Sequence, residues 1–160
     1  MYAIWVLIVF GVLTGAYALF DSELVSSTPT AANVSLAANM ATYRQAVVVY
    51  AQNNPTFQGQ APVALPAGTP TASMQNYVIP NNLLPNTNGV PGSLVVIYGL
   101  SSSSGAAAMD VEQMAQGSAL AGVALAGNVQ SPGNQSVPLP AEIAATVPNG
   151  AVVWMAQAYL

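Results

Sequence analysis

The hydrophobic pattern of this 160-residue chain changes at residue 20. Residues 2–20 form an uncharged run, and at about 1.5 Å per residue a helix there would span about 28 Å, close to the hydrocarbon thickness of a bilayer. We therefore expect a transmembrane anchor at residues 1–20, because a helix satisfies its own backbone groups in lipid. A cleaved signal peptide is the first alternative, since Ala16-Tyr17-Ala18 resembles a cleavage site. A buried globular helix is the second.

An amphipathic helix is predicted over residues 29–53, after a polar connector at residues 21–28. Positions spaced by four and three along this helix form one apolar stripe: Leu36, Met40, Tyr43, Val47 and Tyr50. Asn53-Asn54-Pro55 ends the helix. We expect the stripe to pack on the chain's own sheet. The alternative is that its membrane-proximal part contacts a partner protein.

A proline-rich loop is predicted over residues 55–92, because repeated prolines break regular elements. Within it, the short apolar piece at residues 77–79 is expected to form a strand or a single turn. Turn signals then lead into a β-branched strand at residues 93–100.

Shorter elements are predicted for the last third of the chain. They are a loop at 101–105, a helix at 106–117, a strand at 119–129 that ends in a turn at Gly127-Asn128, an extended segment at 137–143 and a strand at 151–158. This order predicts an α+β domain over residues 29–160, in which the long helix packs on one face of a small, mostly antiparallel sheet.

The amino-acid composition excludes most catalytic mechanisms. The chain has no Cys and no His, and its net charge is −4 with a single basic side chain. No base is available to activate Ser101–Ser104, and Asp110 and Glu112 are typical of charges at a helix N-terminus. We therefore expect no enzymatic activity, no cofactor, no metal, no small-molecule substrate and no nucleic acid, which requires clustered Lys and Arg.

Arg44 is that single basic side chain, and it lies in the middle of the predicted helix. Its stem is expected to pack on the domain while its guanidinium caps carbonyls or pairs with a local carboxylate. The alternative is a contact with a partner or a salt bridge that orients the domain.

A family resemblance is carried by the segment around Arg44. Tyr43-Arg44-Gln45-Ala46-Val47, followed by Tyr50-Ala51 and Asn54-Pro55, resembles the YR-x-AV-x-x-Y-A-x-x-NP signature of the PilM family. Residues 120–129, 139–141 and 149–153 are similar as well. The proteins of this PilM family are components of conjugative thin pili, a type IVb system. They are unrelated to the actin-like cytoplasmic protein that is also called PilM.

The resemblance implies a non-enzymatic component of type IVb or conjugative thin pilus assembly. It would be a single-pass protein of the bacterial inner membrane, anchored through residues 2–20, with a cytoplasmic N-terminus and a periplasmic domain. Its partners would be pilin and other pilus-assembly proteins, contacted through the apolar stripe and Arg44.

Two other functions fit the layout of the chain. A minor pilin or pseudopilin also has an N-terminal hydrophobic helix that leads into an amphipathic helix and a small sheet. Pilins carry Glu at the fifth residue of the mature chain, and this chain has Trp5 there. A secreted binding domain with a cleaved signal peptide is the second alternative.

Overall fold

A computed structural model describes residues 31–69, 73–80 and 92–159. The anchor predicted at residues 1–20 and the connector at residues 21–28 lie outside the described residues, as do residues 81–91 of the proline-rich loop. Among the residues that are described, no helix is both long enough and apolar enough to cross a membrane.

Three α-helices, one 3-10 helix and six strands make up the described part of the chain. In chain order they are α1 (Ala31–Asn53), β1 (Met74–Ile79), β2 (Gly92–Gly99), the 3-10 helix (Ser102–Ala107), α2 (Ala108–Met114), β3 (Ala121–Leu125), β4 (Asn128–Gln130), β5 (Val137–Pro138), α3 (Ala141–Ala144) and β6 (Val152–Tyr159). The strands form one sheet in the order β1-β2-β6-β3-β4-β5. All neighbouring strands are antiparallel.

The long helix α1 packs on one face of this sheet, which confirms the predicted α+β arrangement. Met40 and Val47 are fully buried, and Tyr43 is nearly so. They share one core cluster with Ile97 of β2 and Trp154 of β6, which lie opposite each other in the sheet. Full burial of a large aliphatic side chain contributes about 1.5–3 kcal/mol, so this contact is a main source of stability.

The opposite face of the sheet carries a second core cluster. Leu94, Val96 and Tyr98 of β2 alternate with the residues that face α1, and they pack with Met155 of β6 and Ile143 of α3. All eight residues of β2 are therefore buried. A strand buried on both faces is a continuous apolar run, which explains why the sequence pattern located β2 so well.

The outer edge of β1 is closed by the loop that follows α1. Gly59 exchanges two backbone hydrogen bonds of 2.9 Å with Val78. Asn76 lies two residues before Val78 on β1, and Ala61 lies two residues after Gly59. The buried side chain of Asn76 accepts from the Ala61 N–H at 2.7 Å and donates to the Ala61 carbonyl at 3.1 Å. Its amide also donates to the Tyr43 hydroxyl at 2.6 Å. Asn76 thus ties the loop, the edge strand and α1 together.

Several short elements differ from the sequence-based expectation. The segment predicted as a loop at 101–105 is mostly 3-10 helix, because the Ser101 side chain caps the N–H of Ser103. Strand β1 begins at Met74 rather than at residue 77. The turn expected at Gly127-Asn128 is centred one residue earlier, on Ala126 and Gly127, whose φ values of 49° and 76° suit a tight hairpin. Within the extended segment at 137–143, α3 begins at Ala141.

We expect Asn76→Ala to lower the free energy of unfolding by about 3 kcal/mol, because it removes three hydrogen bonds and leaves buried backbone groups of Ala61 without their partner. Urea denaturation of the full chain in detergent measures this. Tyr43→Phe is the matched control, since it removes only one bond of the network, and should cost about 1 kcal/mol. Equal losses in the two variants would contradict the role given to Asn76.

Candidate functional site

A groove runs along the C-terminal half of β6. It forms because β3 pairs with β6 only from Ala121 to Val123, opposite Val152–Trp154, while β6 continues to Tyr159. The last backbone bond across this junction runs from the Met155 N–H to the Leu120 carbonyl at 2.7 Å. Beyond it the two chain segments diverge, and the resulting groove has a volume of about 470 Å³.

The opposite wall of the groove is the connection from α2 to β3. Helix α2 ends at Met114, and the chain reverses through Gln116 and Gly117, whose φ values of 55° and 70° are left-handed. The Gly117 N–H donates to the Glu112 carbonyl at 2.9 Å, a bond typical of helix C-termini. This reversal places Met114, Gln116 and Leu120 along one side of the groove.

Arg44 lies in this groove, on the face of Trp154. Its Cζ atom is 4.3 Å from the centroid of the Trp154 ring, which is a cation–π geometry. Trp154 is 4% exposed, so the ring is a fixed platform rather than a mobile surface side chain. The stack joins α1 to β6 and positions the single cation of the chain at the groove.

The guanidinium of Arg44 is partly desolvated. Its Nε atom is buried and finds no hydrogen-bond acceptor among the described residues. Burial lowers the pKa of Arg44, with no opposing contribution from a nearby carboxylate. An arginine nevertheless stays protonated, because its ordinary pKa lies far above neutral pH. The groove therefore contains a positive charge without a described counter-ion.

The structure separates the six residues that the sequence singled out. Met40, Tyr43 and Val47 lie in the core against the chain's own sheet, so they are not available to a partner while the domain is folded. Tyr50 is partly buried and makes an edge-to-face contact with Phe57 at 5.2 Å. Leu36 is partly buried on the same core. For Arg44, Leu36 and Tyr50, contact with a partner stays a prediction.

Sequence reasoning missed Trp154 and the α2–β3 connection as parts of a site. Both belong to the groove only because β3 is shorter than β6, and this mismatch arises from long-range strand pairing. The available local signal was Gln116-Gly117, which marks the end of a helix. No local pattern places Arg44 on the ring of Trp154.

The serine-rich segment has a structural role. The Ser104 hydroxyl donates to the Ser101 carbonyl at 2.6 Å and accepts from the Val152 N–H at 3.1 Å. It therefore fastens the 3-10 helix to β6. Across the described ranges, His, Cys, Asp and Glu form no cluster of three or more that could hold a metal ion.

A second surface depression, of about 500 Å³, lies between α2 and the β3–β4 hairpin. Met109 and Glu112 line it from α2, and Pro132 lines it from the other side. Met109 is 55% exposed. Burial raises the pKa of the Glu112 carboxyl.

Comparison with known proteins identifies a family. The model of the PilM family matches residues 8–155 of the chain. No curated protein and no solved structure matches it.

The raised pKa of Glu112 has a consequence for stability. The folded state keeps this proton to higher pH than the unfolded state, so Glu112 lowers the free energy of unfolding as the pH rises from about 4 through the folded-state pKa. We expect Glu112→Gln to remove this part of the fall in the free energy of unfolding. Urea denaturation at a series of pH values between about 4 and 7 measures it.

Glu142→Gln is the matched control for loss of one carboxylate, because Glu142 is exposed on α3. A pH dependence that is identical in wild type and Glu112→Gln would contradict the burial effect.

Proposed function

The chain belongs to the PilM family, and on that basis we propose that it is a non-enzymatic inner-membrane component of a type IVb or conjugative thin pilus assembly apparatus. Membership of this family indicates a pilus-related function. The specific role as an assembly scaffold, rather than a fibre subunit, is our proposal. The match over residues 8–155 is the observation on which it rests.

The proposed mechanism is scaffolding through protein contacts. Residues 2–20 would anchor the chain in the inner membrane, and the domain from residue 29 onward would face the periplasm. The uncharged run of residues 2–20 supports the anchor. The domain would hold pilin or another assembly protein beside the export platform, without chemical conversion of either.

The two outermost strands of the sheet are poor templates for addition of a strand, which favours docking on the groove. Gly59 occupies the backbone groups of Val78 on the outer edge of β1. At the other end of the sheet, β5 has two residues, and Pro138 is one of them. A short edge strand that contains proline is a poor template for pairing with another chain. The groove that contains Arg44 is therefore the contact surface we favour.

The proposal is tested by fractionation of a native host that expresses the full chain. We expect the intact chain in the inner membrane and its absence from sheared pili, and we expect deletion of the chain to abolish piliation until the wild-type copy is restored. Immunoblots of both fractions and electron microscopy of the cells measure these outcomes.

Other results would point to the alternatives. Recovery of the chain in sheared fibres would replace the scaffold by a minor pilin. A soluble periplasmic form without Met1 would indicate a cleaved secreted domain. Normal piliation in the deletion strain would contradict any role in assembly.

A further inference from the structure

We propose that the groove beside Trp154 binds an acidic side chain of a partner protein, and that Arg44 is the residue that pairs with its carboxylate. This inference rests on the proposed function, because it names the chemistry by which the scaffold would recognise another pilus protein. It concerns the groove between β6 and residues 114–120.

The energetic argument starts from the desolvation of Arg44. Burial of a charged group is costly unless the group is paired and hydrogen-bonded. The stack on Trp154 offsets part of this cost, but no described carboxylate pairs with the guanidinium and its Nε has no acceptor. For folding alone, an uncharged side chain could cover Trp154 without this penalty. Because Nε itself is buried, a carboxylate delivered by a partner would pair with the outer N–H groups of the guanidinium and so offset part of the cost.

The geometry of the stack suits a carboxylate. Arg44 lies over the ring of Trp154, with its Cζ atom 4.3 Å from the ring centroid. The N–H donors of a guanidinium form a fork that matches the two oxygens of a carboxylate. No hydrogen bond from Arg44 to another described side chain competes for them. Trp154 would hold the fork in place, which reduces the entropy lost on binding.

The walls of the groove indicate what surrounds that carboxylate. Met114 is 42% exposed, and Leu120 and Ala156 add further apolar surface, while Gln116 and Ser118 supply neutral polar groups. The groove has a volume of about 470 Å³ and is open to solvent, so a side chain on the surface of a partner can enter it. The occupant is therefore an Asp or Glu on the surface of a partner, flanked by apolar and neutral polar residues.

As far as the described residues go, a second copy of this chain is a weaker candidate for the partner. Of the three carboxylates in the described residues, Asp110 is buried and Glu112 is partly buried. Only Glu142 is exposed, and its flanking residues Pro140 and Ala144 offer little apolar surface. A different protein with an exposed acidic residue fits the groove better.

The test is photo-crosslinking in the native host, with the full chain in its membrane. A photoreactive amino acid replaces Met114, which lines the groove. The matched control carries the same amino acid at Met109, which is on the same helix and more exposed but outside the groove. We expect the Met114 probe alone to crosslink to one segment of another protein, and mass spectrometry to find an Asp or Glu in that segment.

Changes of charge identify the role of Arg44. We expect Arg44→Gln to reduce the Met114 crosslink at least about tenfold, because a charge-assisted pair is lost, and Arg44→Lys to keep part of it. If Arg44→Gln unfolds, Gln116→Glu replaces it. This variant adds a negative charge to the groove and should repel the carboxylate. Gln113→Glu is its control, since Gln113 is an exposed residue of α2 that does not line the groove.

Four results would overturn the proposal: no crosslink from Met114, a crosslink to another segment or a second copy of this chain, a partner segment without Asp or Glu, or an undiminished crosslink in Arg44→Gln and Gln116→Glu. Each can occur while deletion of the chain still abolishes pili, in which case the proposed function stands. Normal piliation in the deletion strain would instead remove the proposed function itself.

Discussion

The packing of α1 across β2 and β6 is the contact on which the rest of the structure depends. It buries Met40 and Val47 against the two central strands. It also separates the two halves of the Tyr43-Arg44 pair: Tyr43 enters the core and reaches Asn76, whereas Arg44 emerges beside the core and covers Trp154. The orientation of α1 therefore determines both the hydrogen bond from Asn76 of the edge strand β1 to Tyr43 and the position of the single basic side chain.

This arrangement explains how a chain with so few charges can still offer a specific surface. Its charged residues are 4% of the total, so long-range electrostatic recognition is weak. Specificity must come from shape and from one well-placed charge. The mismatch in length between β3 and β6 supplies the shape, and the stack of Arg44 on Trp154 supplies the charge. With Gly59 and Pro138 closing the edges of the sheet, this groove is the favoured place for contact.

The sequence predicts the strongly patterned elements well. The 4-3-4-3 spacing from Leu36 to Tyr50 located α1, and the β-branched runs located β2 and β6, because each pattern reflects burial along a whole element. The assignment to the PilM family, drawn from the segment around Tyr43-Arg44, was confirmed by the family match over residues 8–155. Tyr43, Met40 and Val47 face the core, which is the packing we expected for the stripe, and this removes them as contact residues in the folded domain.

Features created by long-range contacts were beyond a sequence-based prediction. The 3-10 helix after β2 depends on the capping bonds of Ser101 and on the bond from Val152 to Ser104. Asn76 has no special local pattern, and its importance comes from Ala61 and Tyr43, which are distant in sequence. The groove required knowledge of where β3 stops pairing with β6. In each case at least one decisive partner lies on another element of the fold, 15 residues away for Ala61 and Asn76 and 48 residues away for Ser104 and Val152.

Hydrogen exchange of the full chain in detergent tests the central claim most directly, because it asks whether α1 and the sheet open together. If α1 is packed through its apolar stripe, amides from Met40 to Ala51 should exchange through the same rare opening that releases the amides of β2 and β6. Protection of α1 equal to that of these strands is the expected result. Rapid exchange along α1 while β2 and β6 remain protected would show that the stripe is not buried on the sheet, and would contradict the account.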